Sequence, residues 1–203
     1  TEGDKADSFN PFDILDFTGT MVNDEARMLA ELVMIGGKSL KEPFWDNWAS
    51  TLISGVAIYL AGAKDRSKRS FVGMRELLYS DDPTYKLAVL LDTEGKTMDP
   101  EAYQEMSSFL SIDAQNTRAG VLSTAQQYLR LFGSPTVREA ISTTSFSLKS
   151  IQDGDPVSLY IIIPPTKLES HKALFRLWVG SLLSLIANRT HIPSQSTLFI
   201  IDE

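Results

Sequence analysis

Hydrophobic residues recur at helical spacing through most of the first 140 positions. The clearest case follows Pro43, where large apolar side chains share one helical face: Trp45, Trp48, Leu52, Val56 and Tyr59. A second amphipathic stretch lies within NTRAGVLSTAQQYLRLFG, residues 116–133, and Gly133 is suited to end it. A period near 3.6 residues is typical of helices that bury one face. The pattern therefore predicts a helical core in this part of the chain.

Prolines and capping residues divide this region into separate helices. Pro43 suits the first turn of one helix, and three cap-plus-proline pairs mark further starts: Asp82-Pro83, Asp99-Pro100 and Ser134-Pro135. Asn23 is expected to cap an earlier helix that ends at Gly36-Gly37, and a short helix is expected around 71–79. The sequence thus predicts about seven helices and an all-α unit over residues 23–140.

The pattern changes after residue 143. VSLYIII, residues 157–163, is a β-branched apolar run stopped by two prolines, which is typical of a buried strand. TLFII, residues 197–201, is predicted to be a second strand, and Ser170 is expected to cap a helix that reaches about Asn188. Strand, helix and strand in this order predict a C-terminal βαβ unit with parallel strands. Two strands are too few for an independent sheet, so further strands must come from elsewhere.

Composition and charge narrow the function classes. The chain has no cysteine, which excludes disulfides, thiolate metal sites and a cysteine nucleophile. Its net charge is −7, and residues 21–140 carry 13 basic against 16 acidic side chains. This balance argues against a general nucleic-acid coat, so any contact with DNA would be local. No apolar run approaches the length of a membrane span, and no signal peptide precedes residue 20.

The last eight residues, STLFIIDE, carry the first candidate site. Asp202 and Glu203 follow the second predicted strand, and the carboxyl ends of strands in open α/β sheets are where ligands bind. Two adjacent carboxylates could associate with Mg²⁺ and orient water, or they could simply be a solvated strand end. The two histidines, His171 and His191, are too far apart in the sequence to suggest a metal site.

A basic connector is the second candidate. Four cations cluster within KDRSKRS, residues 64–70: Lys64, Arg66, Lys68 and Arg69. They could contact DNA phosphates or cargo. Asp65 is interleaved among them and no aromatic residue lies within the run, so a solvated connector between helices is the alternative.

Several segments, taken in order, resemble one family. FNPFD near the start, the all-α block, SLYIIIPP with its helix, and LFIIDE occur in the same order in type IV secretion coupling proteins, the ATPases of conjugation and effector export. The resemblance implies an α/β parent fold, a RecA-like P-loop domain interrupted by a large all-α insertion. It assigns residues 23–142 to the all-α domain. Residues 1–22 become an edge and linker of the nucleotide-binding domain, and 143–203 its part up to Walker B.

The same resemblance implies roles for the carboxylates. LFIIDE is similar to a Walker B strand, with Asp202 as the Mg²⁺-associated acid and Glu203 as the acid that activates water. The parent protein would bind ATP and Mg²⁺, but G-x-x-x-x-G-K-[ST] occurs nowhere in the 203 residues. The family carries that loop upstream of NPFD, and its transmembrane helices are also absent here. We therefore expect a middle portion of a longer protein that binds no cofactor and hydrolyses no ATP alone.

Partners also follow from the resemblance. It implies the cytoplasmic portion of a bacterial inner-membrane protein that forms a hexamer and contacts other type IV secretion components. Expected substrates are relaxase or effector proteins, and single-stranded DNA is a further candidate. Open sheet edges would favour self-association of the fragment. Two alternatives remain from the residues: a non-motor helical adaptor whose acidic strand end is incidental, and a small hydrolase using Asp202 and Glu203 as paired carboxylates.

Overall fold

The protein is described from a computed structural model covering residues 6–19, 21–37, 42–193 and 195–201. Within these ranges the regular structure is helical. Nine α-helices occur there: α1 Val22–Met34, α2 Pro43–Ala61, α3 Phe71–Leu78, α4 Pro83–Glu94, α5 Pro100–Leu110, α6 Gln115–Leu129, α7 Pro135–Ile141, α8 Leu148–Asp153 and α9 Leu168–Ala187. Four short 3₁₀ helices accompany them: Pro11–Phe17, Arg66–Lys68, Arg130–Gly133 and Pro165–Lys167. The predicted helical character of residues 23–140, with about seven helices, is confirmed for their described part, where α1 to α7 lie.

α2 is the central helix of this unit. It is apolar on nearly every side, and eleven of its nineteen residues are buried. α1, α5 and α6 pack around it. Gly55 permits the approach of α5, because a side chain there would meet Glu105 and Met106 within 3.3 Å. A helix buried all round is expected when its mean apolarity is high.

An aromatic cluster joins the N-terminal segment to the helical unit. The 3₁₀ helix Pro11–Phe17 places Phe12 edge-on to Phe71 of α3, with ring centroids 5.1 Å apart. Phe71 in turn stacks on Phe132 at 4.9 Å. All three side chains are fully buried, so FNPFD is part of the same hydrophobic core as the helices. Burying an aromatic ring in this way contributes roughly 2–3 kcal/mol for each side chain.

Helix starts agree with the predicted capping pairs at two of three places. Asp82 accepts a hydrogen bond from the backbone N–H of Tyr85, and Asp99 accepts from Glu101. Pro135 also begins α7, but Ser134 makes no side-chain capping bond to the helix. The hydroxyl of Ser134 instead lies 3.0 Å from that of Thr136.

Two predicted caps are wrong. α1 begins at Val22, so Asn23 lies inside its first turn, where its amide donates to Asp99 and Glu101 of the α5 start at 3.1 Å. The Asn23 side chain thus links α1 to the start of α5, and it does not cap its own helix. α9 begins at Leu168, directly after the turn that follows the two prolines, so Ser170 is also helical. Its hydroxyl donates to the carbonyl of Lys167 at 3.0 Å.

α9 packs along α1. Gly180 lets the helices approach closely, since a Cβ there would lie 2.5 Å from Leu32. Glu25 of α1 accepts hydrogen bonds from Ser184 at 2.5 Å and from Asn188 at 2.9 Å. The indole of Trp178 donates to the carbonyl of Phe9 at 3.0 Å, so α9 also holds the N-terminal segment.

The predicted βαβ unit does not form within the described residues. Residues 157–163 and 197–201 flank α9 but make no strand. Exposure varies along both segments: Tyr160, Ile162 and Ile200 are more than 80% exposed, whereas Ile161 is half-buried and Phe199 is 39% exposed. A strand needs neighbours for its backbone N–H and C=O groups, and here none is provided. Only the helix of the predicted unit is therefore present.

Candidate functional site

The basic connector is tied to one carboxylate of the N-terminal segment. Arg66 and Arg69 both form ion pairs with Asp16, the latter at 3.1 Å. Lys68 lies 3.8 Å from Asp65. Lys64 is exposed and has no ion-pair partner among the described residues. The structure thus brings three of the four predicted cations onto local carboxylates.

Further hydrogen bonds fix the same junction. The side-chain amide of Asn10 donates to the carbonyl of Arg69 at 2.8 Å. Thr144 donates to Asp13 at 2.6 Å and accepts from the backbone N–H of Asn10 at 3.1 Å. These contacts join the N-terminal segment, the connector and the residues after α7. Sequence reasoning missed Asp16 and Asp13, because they lie about fifty and 130 positions from their partners.

The connector carries a further internal bond. The hydroxyl of Ser67 donates to Asp65 at 2.7 Å and its backbone N–H does so at 3.1 Å. These bonds, with the smaller effect of Lys68, lower the pKa of Asp65. Because the charged carboxylate is favoured, Asp65 stays anionic beside the cations. Nearby carboxylates thus offset three of the connector cations, while Lys64 and parts of Arg66 and Lys68 remain accessible.

The candidate carboxylates Asp202 and Glu203 lie outside the described residues. The segment before them, 195–201, borders an apolar cleft of about 330 Å³ beneath α9. Residues 157–161 form its other rim, and α9 supplies the floor with Phe175, Val179 and Leu182. An apolar cleft between two unpaired apolar segments has the composition of the inner face of a sheet–helix layer.

A groove with polar and apolar lining, which the sequence did not indicate, lies where the first half of α9 faces the end of α1, the start of α2 and the end of α6. Val33, Trp45, Tyr128, Arg130 and Arg176 are among its lining residues, and its volume is about 650 Å³. Tyr128 donates a hydrogen bond to the buried carboxylate of Asp46 at 2.6 Å. Burial, and then this anionic acceptor, raise the pKa of Tyr128 far above its ordinary value. Tyr128 is therefore a neutral donor in this groove at physiological pH.

Arg176 crosses that groove towards the end of α1. Its guanidinium lies over Gly36, where a Cβ would be 3.3 Å from one terminal nitrogen. Gly36 adopts a φ of +77°, a left-handed conformation that glycine tolerates best. The Nε of Arg176 is buried and has no hydrogen-bond partner in the described part of the chain. Arg176 is the single arginine of α9, and no sequence motif marks it.

The described ranges contain neither a metal-binding cluster nor a membrane-spanning helix. No cluster of three or more His, Asp or Glu side chains there could hold a metal ion. His171 contacts Ser170, its neighbour, at 2.8 Å, and His191 lies 3.2 Å from the carbonyl of Asp153. None of the helices in the described ranges is long and apolar enough to cross a membrane.

Comparison with known proteins places the chain in a family. The family described as Type IV secretory system Conjugative DNA transfer matches residues 1–203. The chain is similar to a conjugal transfer protein TraG of Escherichia coli, with 27% identity over 201 residues, covering 89% of this chain and 29% of that protein. A conjugal transfer protein TraG of Agrobacterium fabrum is 24% identical over 200 residues, covering 96% and 30%.

These curated relatives are much longer than the chain, which spans about three tenths of their length. No solved structure matches the chain. The family match nevertheless covers every residue, from the N-terminal segment through the helical unit to the closing carboxylates. The protein is therefore a member of the conjugative DNA transfer family of type IV secretion systems, and it resembles part of a TraG-like coupling protein.

Proposed function

We propose that this chain is the substrate-recruiting portion of a coupling ATPase. In the whole protein, recruitment of relaxase or effector proteins would be coupled to ATP hydrolysis and transfer. The observation that carries the proposal is the family match over the full chain, of which residues 22–141, about three fifths, form one helical unit with a continuous core. A folded helical unit with polar grooves can bind a protein without any nucleotide.

Two parts of the chain have different roles in this proposal, because only the helical unit buries its own apolar surface. The helical unit buries its apolar faces internally, whereas residues 157–163 and 195–201 leave Tyr160, Ile162 and Ile200 exposed. We propose that strands from the rest of the parent protein cover these segments and complete a RecA-like sheet. Asp202 and Glu203 would then serve as its Walker B pair, one near Mg²⁺ and one near the attacking water.

Recruitment is tested by binding of cognate cargo. The chain, immobilised through a tag, should retain a relaxase or effector encoded with the same transfer system, with a dissociation constant measured by interferometry. The matched control is an unrelated helical protein of equal net charge. Absence of binding to every cognate relaxase and effector would contradict the recruiting role.

We also propose that the chain alone neither binds nor hydrolyses ATP. The sequence contains no phosphate-binding loop, and phosphoryl transfer depends on that loop and its lysine to hold the β- and γ-phosphates. Calorimetric titration with ATP and Mg²⁺ should give no saturable heat at micromolar concentrations. Saturable micromolar binding would overturn this proposal and leave the recruiting role standing.

Single-stranded DNA is a further partner that we propose for the parent, at the connector. Lys64, Arg66 and Lys68 offer accessible charge, although Asp16 and Asp65 offset part of it. Replacing all four connector cations with glutamine should weaken DNA binding and reduce its dependence on salt. A hexameric parent, anchored at the bacterial inner membrane and in contact with other secretion components, completes the proposal; finding G-x-x-x-x-G-K-[ST] in the coding sequence upstream tests its ATPase class.

A further inference from the structure

α4 is weakly embedded in the helical unit. Only Pro83 and Leu87 of its twelve residues are buried, while it packs on α5 and α3. Its outer face carries Tyr85, which is 68% exposed, and Val89, which is 40% exposed. The two are four positions apart, and Asp92 follows three positions later, so all three share one face of the helix.

α5 extends this face. Tyr103 is 41% exposed, and its ring packs so close to Gly95 that a Cβ there would lie 2.8 Å away. Tyr103 and Asp92 border a common groove whose apolar lining includes Leu91 and Met98. We call the surface formed by Tyr85, Val89, Asp92 and Tyr103 the α4–α5 face. Three of the six exposed large apolar side chains in the described part of residues 6–156 lie on it.

Charge is concentrated around the same face. Residues 81–105 contain seven carboxylates and two lysines, so they hold −5 of the total net charge of −7. Glu101 and Glu105 turn to α1, where both pair with Arg27. Asp81 and Asp92 are exposed and have no ion pair or hydrogen bond in the described part of the chain. Lys86 and Lys96 are exposed as well, and Lys96 lines the groove together with Asp92. Residues 81–99 nevertheless carry five carboxylates against these two lysines, so a net charge of −3 surrounds the apolar face.

The exposed apolar side chains and the surrounding negative charge together restrict which kind of partner can bind the α4–α5 face. A negative rim repels nucleic acid, anionic lipid and a second copy of this acidic chain. It attracts a basic segment, while exposed tyrosines provide contact area at little entropic cost. We propose that the α4–α5 face docks a basic segment of a partner protein that also carries apolar side chains. The inference rests on the proposed function, since it locates cargo recruitment on these two helices.

The first test uses a defined probe on the whole chain. The probe is a short synthetic helical peptide with arginine on one face and leucine on the other, and its counterpart has glutamate in place of arginine. Backbone amide resonances of α4 and α5 should shift on titration with the arginine peptide and not with the glutamate peptide. Shifts spread over acidic residues elsewhere, or caused equally by an oligonucleotide, would overturn the proposal.

Variants separate specific docking from general attraction. Tyr85→Ser with Val89→Ser should weaken arginine-peptide binding about tenfold, because aromatic anchors dominate interface energies. Asp81→Asn with Asp92→Asn should weaken it about threefold, as expected for exposed charges. The matched controls, Met21→Ser and Asp113→Asn with Asp155→Asn, replace exposed apolar and acidic side chains outside this face and should have no effect. If the control substitutions weaken peptide binding as much as the α4–α5 substitutions do, the α4–α5 face is not the docking site.

Cognate cargo distinguishes this inference from the proposed function. If the unsubstituted chain binds a relaxase or effector and the Tyr85→Ser, Val89→Ser variant binds it less well, the recruiting role and the docking site both stand. If both bind cargo equally, recruitment stands but the α4–α5 face is not its site. If the unsubstituted chain binds no cargo, the recruiting role fails. The peptide titration alone then decides whether the α4–α5 face docks a basic segment.

Discussion

Single side chains tie the helices of this unit together through hydrogen bonds between distant positions. Tyr128 of α6 donates to the buried Asp46 of α2, and Tyr59 of α2 donates to Glu94 of α4 at 3.2 Å. Arg27 of α1 joins Glu105 of α5 at 2.7 Å. Burial raises the pKa of Glu105 against the opposing effect of Arg27. These pairs fix how neighbouring helices meet.

The Tyr128–Asp46 bond should contribute measurably to stability. Tyr128→Phe removes the phenolic donor and leaves the ring, so the free energy of unfolding should fall by about 1–2 kcal/mol, the cost of losing a donor to a buried charged acceptor. Urea unfolding followed by circular dichroism measures the change. Tyr160→Phe, at a position 82% exposed, is the control and should be neutral. An unchanged unfolding midpoint for Tyr128→Phe would contradict the prediction.

Tyr59 predicts a loss of stability at high pH. Burial, and then the charge of Glu94, raise the pKa of Tyr59 from 10.0 to about 12. The unfolded chain therefore releases this proton at lower pH than the folded chain does. The stabilising effect is complete below pH 10 and is lost as the pH rises to about 12. Ultraviolet absorbance follows ionisation of the phenols, and Tyr59→Phe should make the stability profile less steep over that range. The slope that remains comes from Tyr128, whose pKa is also raised.

At the scale of elements, the connector and α3 meet without space for a side chain. Gly73 lies in the first turn of α3 against the carbonyl of Lys68, where an added Cβ would collide with the backbone oxygen. Ser70 caps the same turn by accepting from the N–H of Gly73 at 3.1 Å. The close approach, more than any helix preference, determines the residue required here.

At position 73 we expect glycine to be more stable than alanine, which reverses the usual preference within helices. Alanine normally stabilises a helix by about 1 kcal/mol relative to glycine. Gly73→Ala should instead destabilise the protein by about 1–3 kcal/mol, because the backbone of the connector must shift. The control is Gly62→Ala at the end of α2, where a Cβ finds its nearest neighbour at 3.7 Å. Thermal unfolding of both variants decides the matter, and a stabilised Gly73→Ala would refute the packing argument.

At the scale of the whole molecule, the two segments that flank α9 leave apolar surface in solvent. Ile162 and Ile200 are 84% and 82% exposed, and they belong to runs whose backbone groups lack a strand partner. Such surface is a template for pairing with another chain. The helical unit, in contrast, buries Phe71, Phe109 and Phe132 completely in its core.

Self-association should therefore depend on these segments. The chain is expected to form dimers or larger species as its concentration rises, as measured by light scattering. Ile162→Lys with Ile200→Lys should shift the population towards monomer, because charge blocks edge pairing. Leu183→Lys, at an exposed position on α9, is the control. A chain that stays strictly monomeric at every concentration would exclude this mode of association.

The local pattern was sufficient for much of the fold. Proline at the start of α2, α4, α5 and α7 and aspartate caps at Asp82 and Asp99 specify where those helices begin. The order of FNPFD, the helical block, SLYIIIPP and LFIIDE was sufficient to indicate the family. These features are short-range, because a cap or an amphipathic period involves residues within one or two turns.

Contacts between distant positions were decided only by the tertiary structure. It joined Asp16 to Arg66 and Arg69, drew Asn23 away from capping α1, and packed FNPFD into the helical core. It also left VSLYIII and TLFII without a sheet, since a strand forms only where neighbours receive its hydrogen bonds. Sequence alone determined the helices and the family, because their signals are local; pairing and exposure depend on which distant residues the fold brings together.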